Sequence, residues 1–390
     1  MSKIQAEWLA RPGIRRIVDC LGPDNIRFVG GAVRDTLVGR KVHDIDAATI
    51  FPPEKTAALL EAAGIKVIPT GIDHGTVTAI ADSEKAEITT LRHDMETDGR
   101  RAVVAYTDNW KADAARRDFT FNALYLSADG DLHDPFRGVD DLKAGRVRFI
   151  GDAETRIEED ALRILRFFRF HAWYGEGKPD ATGLDACKQK VALLKALSAE
   201  RVRDELLKLL AAPAPFDALR AFERTGATAV LQFGGLNSAR LKNFVQAEQA
   251  YGFTPDALLR LACWLTLEEA DVPQFAKRFR LSKKQRERLS AVVEGLHAPV
   301  PESARELRAF IYRHGQDAAR CALFADGTCE QSLVALLQDW QVPTFPLKGG
   351  DIVARGIEAG PAVSEVMKRL ETEWFESDFQ LSKDELLSRV

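Results

Sequence analysis

The sequence predicts an α+β fold, in which a mixed α/β N-terminal part is followed by an almost entirely helical remainder. Up to about Gly151, short apolar or alternating runs bounded by turn residues recur, and such runs are typical of strands. Beyond Gly151, Leu, Ala and Phe recur at helical spacing between breaks at glycines and prolines. No fixed-period repeat is visible, so we expect irregular helical bundles rather than a solenoid.

The N-terminal part is predicted to alternate helices and strands. Residues 1–25 are expected to be helical, with Trp8, Ile14 and Ile17 as apolar contacts, and a second helix is expected over 53–63. The predicted strands are 26–29, 45–50, 75–81, 86–91 and 147–150. The charged stretch 92–107 has no clear period and predicts a loop, either flexible or an ordinary surface loop.

A glycine turn follows the first predicted strand. Gly30 and Gly31 allow a sharp turn and a close approach of the backbone to a ligand. Amide groups at the start of the next helix can then face an anion, which the helix dipole favours. Arg34 adds a guanidinium that can fork onto phosphate oxygens. The segment therefore predicts a phosphate-binding turn.

A pair of carboxylates comes next in the chain. If 42–50 is extended, Asp44 and Asp46 project to one side while Ile45 points into the core. Adjacent carboxylates repel unless a cation lies between them, and Mg²⁺ accepts hard oxygen ligands while leaving room for substrate phosphates. Either motif alone is more often an ordinary turn or a solvated strand end, but their order and spacing point to nucleotidyl transfer.

Four segments, 30–35, 44–46, 116–124 and 156–166, resemble the successive motifs of the bacterial class II tRNA nucleotidyltransferase and poly(A) polymerase family. The resemblance covers roughly half the chain and is closest to the CCA-adding members. It implies a polymerase-β-like nucleotidyltransferase head over 1–150, a helical neck with base recognition over 151–210, and a helical body and tail over 211–390 that bind tRNA. It also implies that the loop at 92–107 moves between C and A addition.

The implied reaction is template-independent addition of C, C and A to the tRNA 3′ end from CTP and ATP, with release of pyrophosphate. Two Mg²⁺ ions held by Asp44 and Asp46 would activate the attacking hydroxyl and stabilise the leaving group. The alternating pattern of 86–89 allows Glu87 to lie beside this pair, and the resemblance implies the same position. Glu87 is then expected to polarise or deprotonate the hydroxyl.

A second motif is expected on a helix that starts near Lys111. On that helix Arg117 would contact the phosphate or sugar of the nucleotide, and Asp118 would bind the ribose hydroxyl or orient Arg117. Asn122 is placed on the same face one turn later. Without the resemblance, these residues would be a charge pair above an apolar core.

The third set concerns the choice of base. Asp160 and Arg163, three apart on one predicted helical face, offer an acceptor and a fork of donors that match the pairing edge of a base. The resemblance assigns base selection to Asp160 and Arg163, and the candidate nucleotide-binding residues of this segment are Glu159, Asp160, Arg163, Arg166 and Arg169. The alternative is a solvated helix with internal charge pairs. Segments 134–142 and 200–206 resemble two further motifs, and we expect structural roles for both.

Composition is ordinary for a globular protein, with 390 residues, 46% hydrophobic, 29% charged and a net charge of −4. No apolar stretch is long enough for a membrane span and no hydrophobic signal segment opens the chain, so a cytoplasmic location is expected. The five cysteines lack zinc spacing and are expected to be reduced. No His-Asp phosphohydrolase module is predicted.

Seven cations in 277–288 predict a basic helix that either contacts RNA or is simply solvated.

Two other functions remain open at this point. Poly(A) polymerases and enzymes limited to CC or to A addition share the same motifs, although segment 69–78 resembles the CCA-adding pattern and lacks the basic, aromatic run usual in poly(A) polymerases. A non-catalytic RNA-binding protein of the same fold is the alternative from a different class, but Asp44, Asp46 and Glu87 are all retained.

Overall fold

The computed structural model describes residues 3–72, 75–94, 104–325, 327 and 329–390. The chain divides into two compact units, 1–232 and 233–390. The finer boundaries expected at 150 and 210 stay predictions. Residues Asp73 and His74 of segment 69–78, and residues 95–103 of the expected loop, lie outside the described ranges.

The first unit contains a mixed sheet with the strand order β3-β4-β5-β2-β1-β8-β9. Strands β2 and β5 run parallel, and the other neighbours are antiparallel. A separate antiparallel pair is formed by β6 and β7. The strands are β1 Ile26–Val29, β2 Ile45–Thr49, β3 Lys66–Gly71, β4 Thr76–Ala81, β5 Glu84–Thr90, β6 Arg92–Asp94, β7 Val104–Tyr106, β8 Tyr125–Leu126 and β9 Leu132–His133.

Helices connect these strands and then make up the rest of the unit. They are α1 Pro12–Leu21, α2 Gly31–Leu37, α3 Pro53–Ala62, α4 Trp110–Ala115, α5 Gly138–Lys143, α6 Ala153–Glu159, α7 Leu162–Tyr174, α8 Ala181–Gln189, α9 Ala199–Leu210, α10 Phe216–Arg224 and α11 Ala227–Val230. Short 3-10 segments lie at Glu7–Ala10, Thr120–Asn122 and Val191–Ala196.

The N-terminal helix is shorter and more broken than predicted. A 3-10 turn comes first, and α1 begins at Pro12, whose fixed φ and missing N–H suit the first helical position. The expected apolar contacts are confirmed, since Trp8, Ile14 and Ile17 are all buried. Strand β1 and helix α3 are also confirmed, with β2, β4 and β5 within two residues of their predicted bounds.

One strand prediction and one loop prediction need correction. Over 147–150 only Phe149 pairs, in an isolated bridge to Phe119, because its ring packs against Phe119 and Phe167 with centroids at 4.7 and 5.7 Å. The apolar run is therefore core packing and not a strand. The expected loop at 92–107 begins and ends as the paired strands β6 and β7, with Arg92 opposite Tyr106.

The turn into a short helix expected at 134–142 is confirmed as α5. The Asp134 carboxylate accepts hydrogen bonds from the amides of Gly138 and Val139 at 2.7 and 2.9 Å. It thereby satisfies N–H groups that the first turn of a helix leaves without partners.

The second unit is helical apart from a small ladder of β10 Gly235–Leu236 and β11 Leu265–Thr266. Its helices are α12 Ser238–Ala250, α13 Ala257–Trp264, α14 Val272–Arg278, α15 Lys283–His297, α16 Ala304–His314, α17 Gln316–Ala325, α18 Gln331–Asp339, α19 Gly349–Val353, α20 Pro361–Glu376 and α21 Lys383–Leu387, with a 3-10 turn at Glu269–Asp271. Leu370 and Trp374 of α20 belong to a hydrophobic cluster near the C-terminus.

The basic segment 277–288 is not one helix. Helix α14 ends at Arg278, Arg280 adopts a left-handed φ of 52°, and α15 begins at Lys283. The apolar residues in and beside this segment, Phe275, Phe279 and Leu289, are buried. RNA contact by this segment stays a prediction.

The structure contains all five cysteines as free thiols, and Cys187, Cys263 and Cys321 are buried. Within the described ranges, no helix is both long enough and apolar enough to cross a membrane.

Candidate active site

The parallel pairing of β2 and β5 places Asp46 directly opposite Glu87. The extended stretch expected over 42–50 begins only at Ile45, which is buried, so Asp44 precedes the strand and is exposed while Asp46 is half-buried. Because residues opposite each other in a ladder carry neighbouring side chains, the predicted grouping of these carboxylates has a structural basis.

The carboxylates repel one another. Burial raises the pKa of Asp46 above its ordinary value, and the nearby charges of Glu87 and Asp44 raise it further. A divalent cation would relieve this repulsion, and the oxygen donors suit a hard ion such as Mg²⁺. In the described part of the chain, no three His, Cys, Asp or Glu side chains form a ready-made ligand set. Two neighbouring carboxylates suit an ion that keeps waters and substrate oxygens among its ligands.

The glycine turn lies close to the second motif. Gly30 has a φ of 70° and precedes α2, and a Cβ at this position would lie 3.9 Å from an Arg117 Nη atom. Arg34 is not the free phosphate fork that the sequence suggested. Its buried guanidinium donates to Asn122 Oδ1 at 2.6 Å and to Asp35 Oδ1 at 3.0 Å.

Arg117 and Asp118 do not lie on a helix, because α4 ends at Ala115. The guanidinium of Arg117 donates hydrogen bonds to Asp113 Oδ2 at 3.1 Å and to the Tyr125 hydroxyl at 3.1 Å. These two contacts fix its position. Its charge also acts on Asp46, whose pKa it lowers against the other causes. Arg117 therefore lies beside the glycine turn and near enough to Asp46 for the two charges to interact.

Asp113 is a site residue that the motif analysis missed. It is buried, and it pairs with Arg116 and Arg117 while accepting a hydrogen bond from Tyr125 at 2.6 Å. Burial opposes its ionisation, but the two arginines outweigh burial and lower its pKa. The spacing of Asp113 to the two arginines, three and four residues, was the available signal.

Asp118 connects two of the predicted motifs. It accepts hydrogen bonds from Asn122 Nδ2 at 3.0 Å and from Arg166 Nε at 2.6 Å. Burial disfavours its charge, yet Arg166 and Asn122 lower its pKa below the ordinary value. With the bond from Arg34 to Asn122, a continuous polar chain runs from α2 to α7. Asn122 was expected beside Asp118 on a helix, but a 3-10 turn brings them together.

The residues predicted to select the base span a break between two helices, and not one helical face. Helix α6 ends at Glu159, Asp160 is extended, and α7 begins at Leu162. Asp160 accepts two hydrogen bonds from Arg201 Nη2, at 2.8 and 3.1 Å. Arg163 pairs with Glu159 at 2.5 Å and donates to the carbonyl of Arg156 at 2.7 Å. The predicted acceptor and donor are therefore both oriented by protein partners.

Helix α9 supports α7, as expected for segment 200–206. Arg169 Nε donates to Glu205 Oε2 at 2.5 Å, and Glu205 is buried. The nearby carboxylate favours the charged guanidinium, but burial outweighs it and lowers the pKa of Arg169. Arg201 and Glu205, one turn apart on α9, thus hold residues from two positions of the predicted site.

Comparison with known proteins agrees with this arrangement. Residues 26–148 match the family described as the poly A polymerase head domain, and residues 180–232 match the probable RNA and SrmB-binding site of polymerase A. CCA tRNA nucleotidyltransferase 1, mitochondrial, of Mus musculus is 34% identical over 97% of this chain and 89% of its own length. The CCA-adding enzyme of Streptococcus gordonii is 32% identical over 88% and 87%.

A solved structure shows the same likeness. The CCA-adding enzyme of Bacillus stearothermophilus, in complex with CTP, has a TM-score of 0.77 and 25% identity over 97% of both chains. Nucleotidyltransferases of this kind generally depend on a divalent metal. Identity above 30% over nearly the whole chain, together with the geometry above, shows that the protein belongs to the tRNA nucleotidyltransferase and poly(A) polymerase family.

Proposed function

We propose that this protein adds C, C and A to the 3′ end of tRNA, with CTP and ATP as substrates. The observation that carries the proposal is the position of Asp46 opposite Glu87 in β2 and β5, with Arg117 acting on Asp46 from the next motif. Similarity to CCA-adding enzymes along most of the chain favours this reaction over poly(A) synthesis. The likeness to a structure with bound CTP favours the same substrate class.

The metal would be held by Asp44 and Asp46, and we propose two Mg²⁺ ions. When bound, such ions activate a hydroxyl and neutralise charge on the leaving pyrophosphate. The carboxylate of Glu87 is proposed to accept the proton from the tRNA 3′ hydroxyl. The hydroxyl oxygen then bonds to the α-phosphorus, and the bond from that phosphorus to the pyrophosphate oxygen breaks.

The nucleotide would be held by the residues around the polar chain. Arg117 is proposed to bind phosphate oxygens, because its guanidinium lies beside the glycine turn and near Asp46. Gly30 and Gly31 would let the backbone approach the phosphates. Asp118 and Asn122, linked by a hydrogen bond at 3.0 Å, would bind the ribose. Arg34 would act indirectly, by orienting Asn122.

Base selection is assigned to Asp160 and Arg163. Each is held by a protein partner, Asp160 by Arg201 and Arg163 by Glu159. Such fixed donors and acceptors can reject U and G, because a mismatched base leaves polar groups unpaired. Arg166 and Arg169 would support this edge from α7, where both are engaged by acidic residues.

The direct test uses purified full-length protein and Mg²⁺ with tRNA transcripts that end before CCA, after C or after CC. Each is incubated with single nucleotides and with CTP and ATP together. We expect C, C and A in that order, followed by a stop, and loss of incorporation in Asp44→Ala and Asp46→Ala.

Other products would change the assignment. Long A tails would indicate a poly(A) polymerase, and CC alone or A alone would indicate a split activity. Retained tRNA binding without incorporation would support the non-catalytic alternative. The cytoplasmic location stays a prediction, since the mouse relative is named as a mitochondrial protein.

A further inference from the structure

Lys85 lies beside the carboxylates, although none of the motifs includes it. It is on β5, two residues before Glu87, so both side chains project to the same side of the strand. Lys85 Nζ lies 2.7 Å from Glu87 Oε1, and both side chains are about half exposed, at 56% and 48%. Lys85 thus engages the Glu87 carboxylate, to which we assign a role in proton transfer.

The backbone fixes this position. Asp82 and Ser83, both with positive φ, form the tight turn between β4 and β5, and Ala81 pairs with Glu84 in the ladder that follows. Neighbouring Glu84 is bound by Arg11 at 3.0 Å and is therefore engaged elsewhere. The Lys85 ammonium consequently pairs with Glu87, beside the carboxylates of the site.

The surroundings of Lys85 are acidic. A small open pocket of about 190 Å³ is lined by His43, Asp44, Ile45, Ser83, Glu84, Lys85 and Glu87. The hydrogen bond with Glu87 raises the pKa of Lys85, and Asp44 and Asp46 raise it further. Lys85 is therefore charged at neutral pH, and its field reaches all three candidate catalytic carboxylates.

We propose that Lys85 is a positioning residue that pairs with Glu87 in the metal-free protein and competes with the divalent cation for the carboxylate site. This inference rests on the proposed function. A divalent cation and an ammonium repel each other, and both are attracted to the same carboxylates. Cation binding must therefore weaken the bond between Lys85 and Glu87, and this sets the metal concentration at which Glu87 becomes free.

The competition should change the affinity for the divalent cation by a measurable factor. At the screening expected for exposed groups, repulsion between one single and one double charge changes an affinity by about three- to tenfold. Replacing Lys85 by a neutral side chain should then tighten binding of the divalent cation by that factor. An arginine at the same position keeps the charge and should behave like lysine, because both remain cationic.

The test is titration of the full-length protein with Mn²⁺, followed by the EPR signal of the free ion, without nucleotide or tRNA. Lys85→Met should lower the Kd for Mn²⁺ about three- to tenfold, whereas Lys85→Arg should stay within twofold of the wild type. Lys66→Met is the matched control, because Lys66 is an exposed lysine at the start of β3 in the same sheet and its loss changes net charge equally. It should leave the Kd unchanged.

Each result has one meaning. A Kd in Lys85→Met that equals or exceeds the wild-type value would overturn the competition, and so would an equal gain in Lys66→Met. If neither the wild type nor Lys85→Met binds Mn²⁺ in a manner sensitive to Asp46→Asn, the metal site of the proposed function fails, and this inference fails with it. Binding that depends on Asp46 but not on Lys85 would refute only the role of Lys85.

Discussion

Asp46 of β2 and Glu87 of β5 are direct neighbours in a parallel strand pair, so two acidic side chains are held side by side by the backbone itself. Because burial and the neighbouring carboxylates raise the pKa of Asp46, its ionised form costs the folded protein free energy when no metal is bound. The arrangement lowers the stability of the metal-free protein and favours binding of a cation.

Asp46→Asn should therefore stabilise the metal-free protein while abolishing nucleotide addition. In EDTA at pH 7.5 we expect a gain of about 0.5–1 kcal/mol, since the amide carries no charge to repel. Because the folded-state pKa is raised, the gain should be full above it and should vanish below the ordinary value of 3.8, where the carboxyl is protonated in both folded and unfolded states.

Thermal unfolding in EDTA at several pH values measures this gain. Asp44→Asn is the comparison, and a smaller gain is expected because Asp44 is exposed. Equal melting temperatures for Asp46→Asn and the wild type at neutral pH would contradict the account of repulsion.

The pair Asp118–Arg166 should be strongly coupled in stability. The side chain of Asp118 is 8% exposed and that of Arg166 is 30% exposed, so the loss of either leaves a partly desolvated charge. We expect a coupling free energy of about 1–3 kcal/mol in a double-mutant cycle of Asp118→Asn and Arg166→Met, followed by urea unfolding. Additive effects of the two changes would contradict the importance of the pair.

The same pair predicts a pH dependence of stability. The pKa of Asp118 is lowered in the folded protein, so its contribution is present above the ordinary value of 3.8 and is lost as the pH falls through the folded-state value. The stability difference between the wild type and Asp118→Asn should thus narrow below about pH 4. A constant difference between pH 3 and pH 7 would be inconsistent with this explanation.

Arg201 should affect nucleotide binding more than stability. Its pair with Asp160 is exposed, at 48% and 36%, so Arg201→Met should cost less than about 1 kcal/mol. Without this partner the Asp160 carboxylate loses its orientation, and we expect KM for CTP and ATP to rise about five- to tenfold, since one to two hydrogen bonds to a charged group are lost. Steady-state kinetics on tRNA ending before CCA measure this change.

Arg203→Met serves as the control for Arg201, because it removes an arginine of the same helix that pairs with the adjacent Asp204, whereas Arg201 pairs with Asp160. Its KM values should stay near those of the wild type. Equal effects of the two changes would show a general effect of charge on α9 and not a specific role of Arg201.

The buried carboxylate of Glu248 should contribute strongly to the stability of the second unit. Glu248 and Arg260 are both fully buried and paired at 2.6 Å, and Arg320 also contacts Glu248. Burial raises the pKa of Glu248 against the opposing effect of these arginines. Glu248→Gln removes the negative charge, leaves Arg260 buried, and should cost about 3 kcal/mol. Urea unfolding of the full chain, followed by circular dichroism, tests this, and a cost below about 1 kcal/mol would count against it.

Sequence reasoning succeeded where the signal is local. Strand β1 and helix α3 follow from short apolar runs and from proline at a helix start, and the structure confirms both. Glu87 could be placed beside Asp46 because side chains alternate along strands and the family motif names an acidic residue there. Segment 134–142 contains its own capping carboxylate, Asp134, so its short helix was also predictable.

Sequence reasoning failed where distant partners decide the local structure. The helix assumed under Arg117 and Asn122 ends at Ala115, and beyond it Asp118 is bound by Arg166 of α7 and Asn122 by Arg34 of α2. The single helix assumed under Asp160 and Arg163 is broken, with Asp160 held by Arg201. Apolar run 147–150 forms only an isolated bridge, from Phe149 to Phe119, and the Phe149 ring packs on Phe167 of α7.

The sequence by itself determined the family, the order of the motifs and the chemical types of the site residues, because motifs are linear patterns of residue identity. The tertiary structure alone decided which charges are free and which are engaged. Arg34 is committed to Asn122, Arg201 fixes Asp160, and Lys85 pairs with Glu87. Charge pairs depend on distance and burial in three dimensions, and residues far apart in sequence become neighbours only when strands and helices pack.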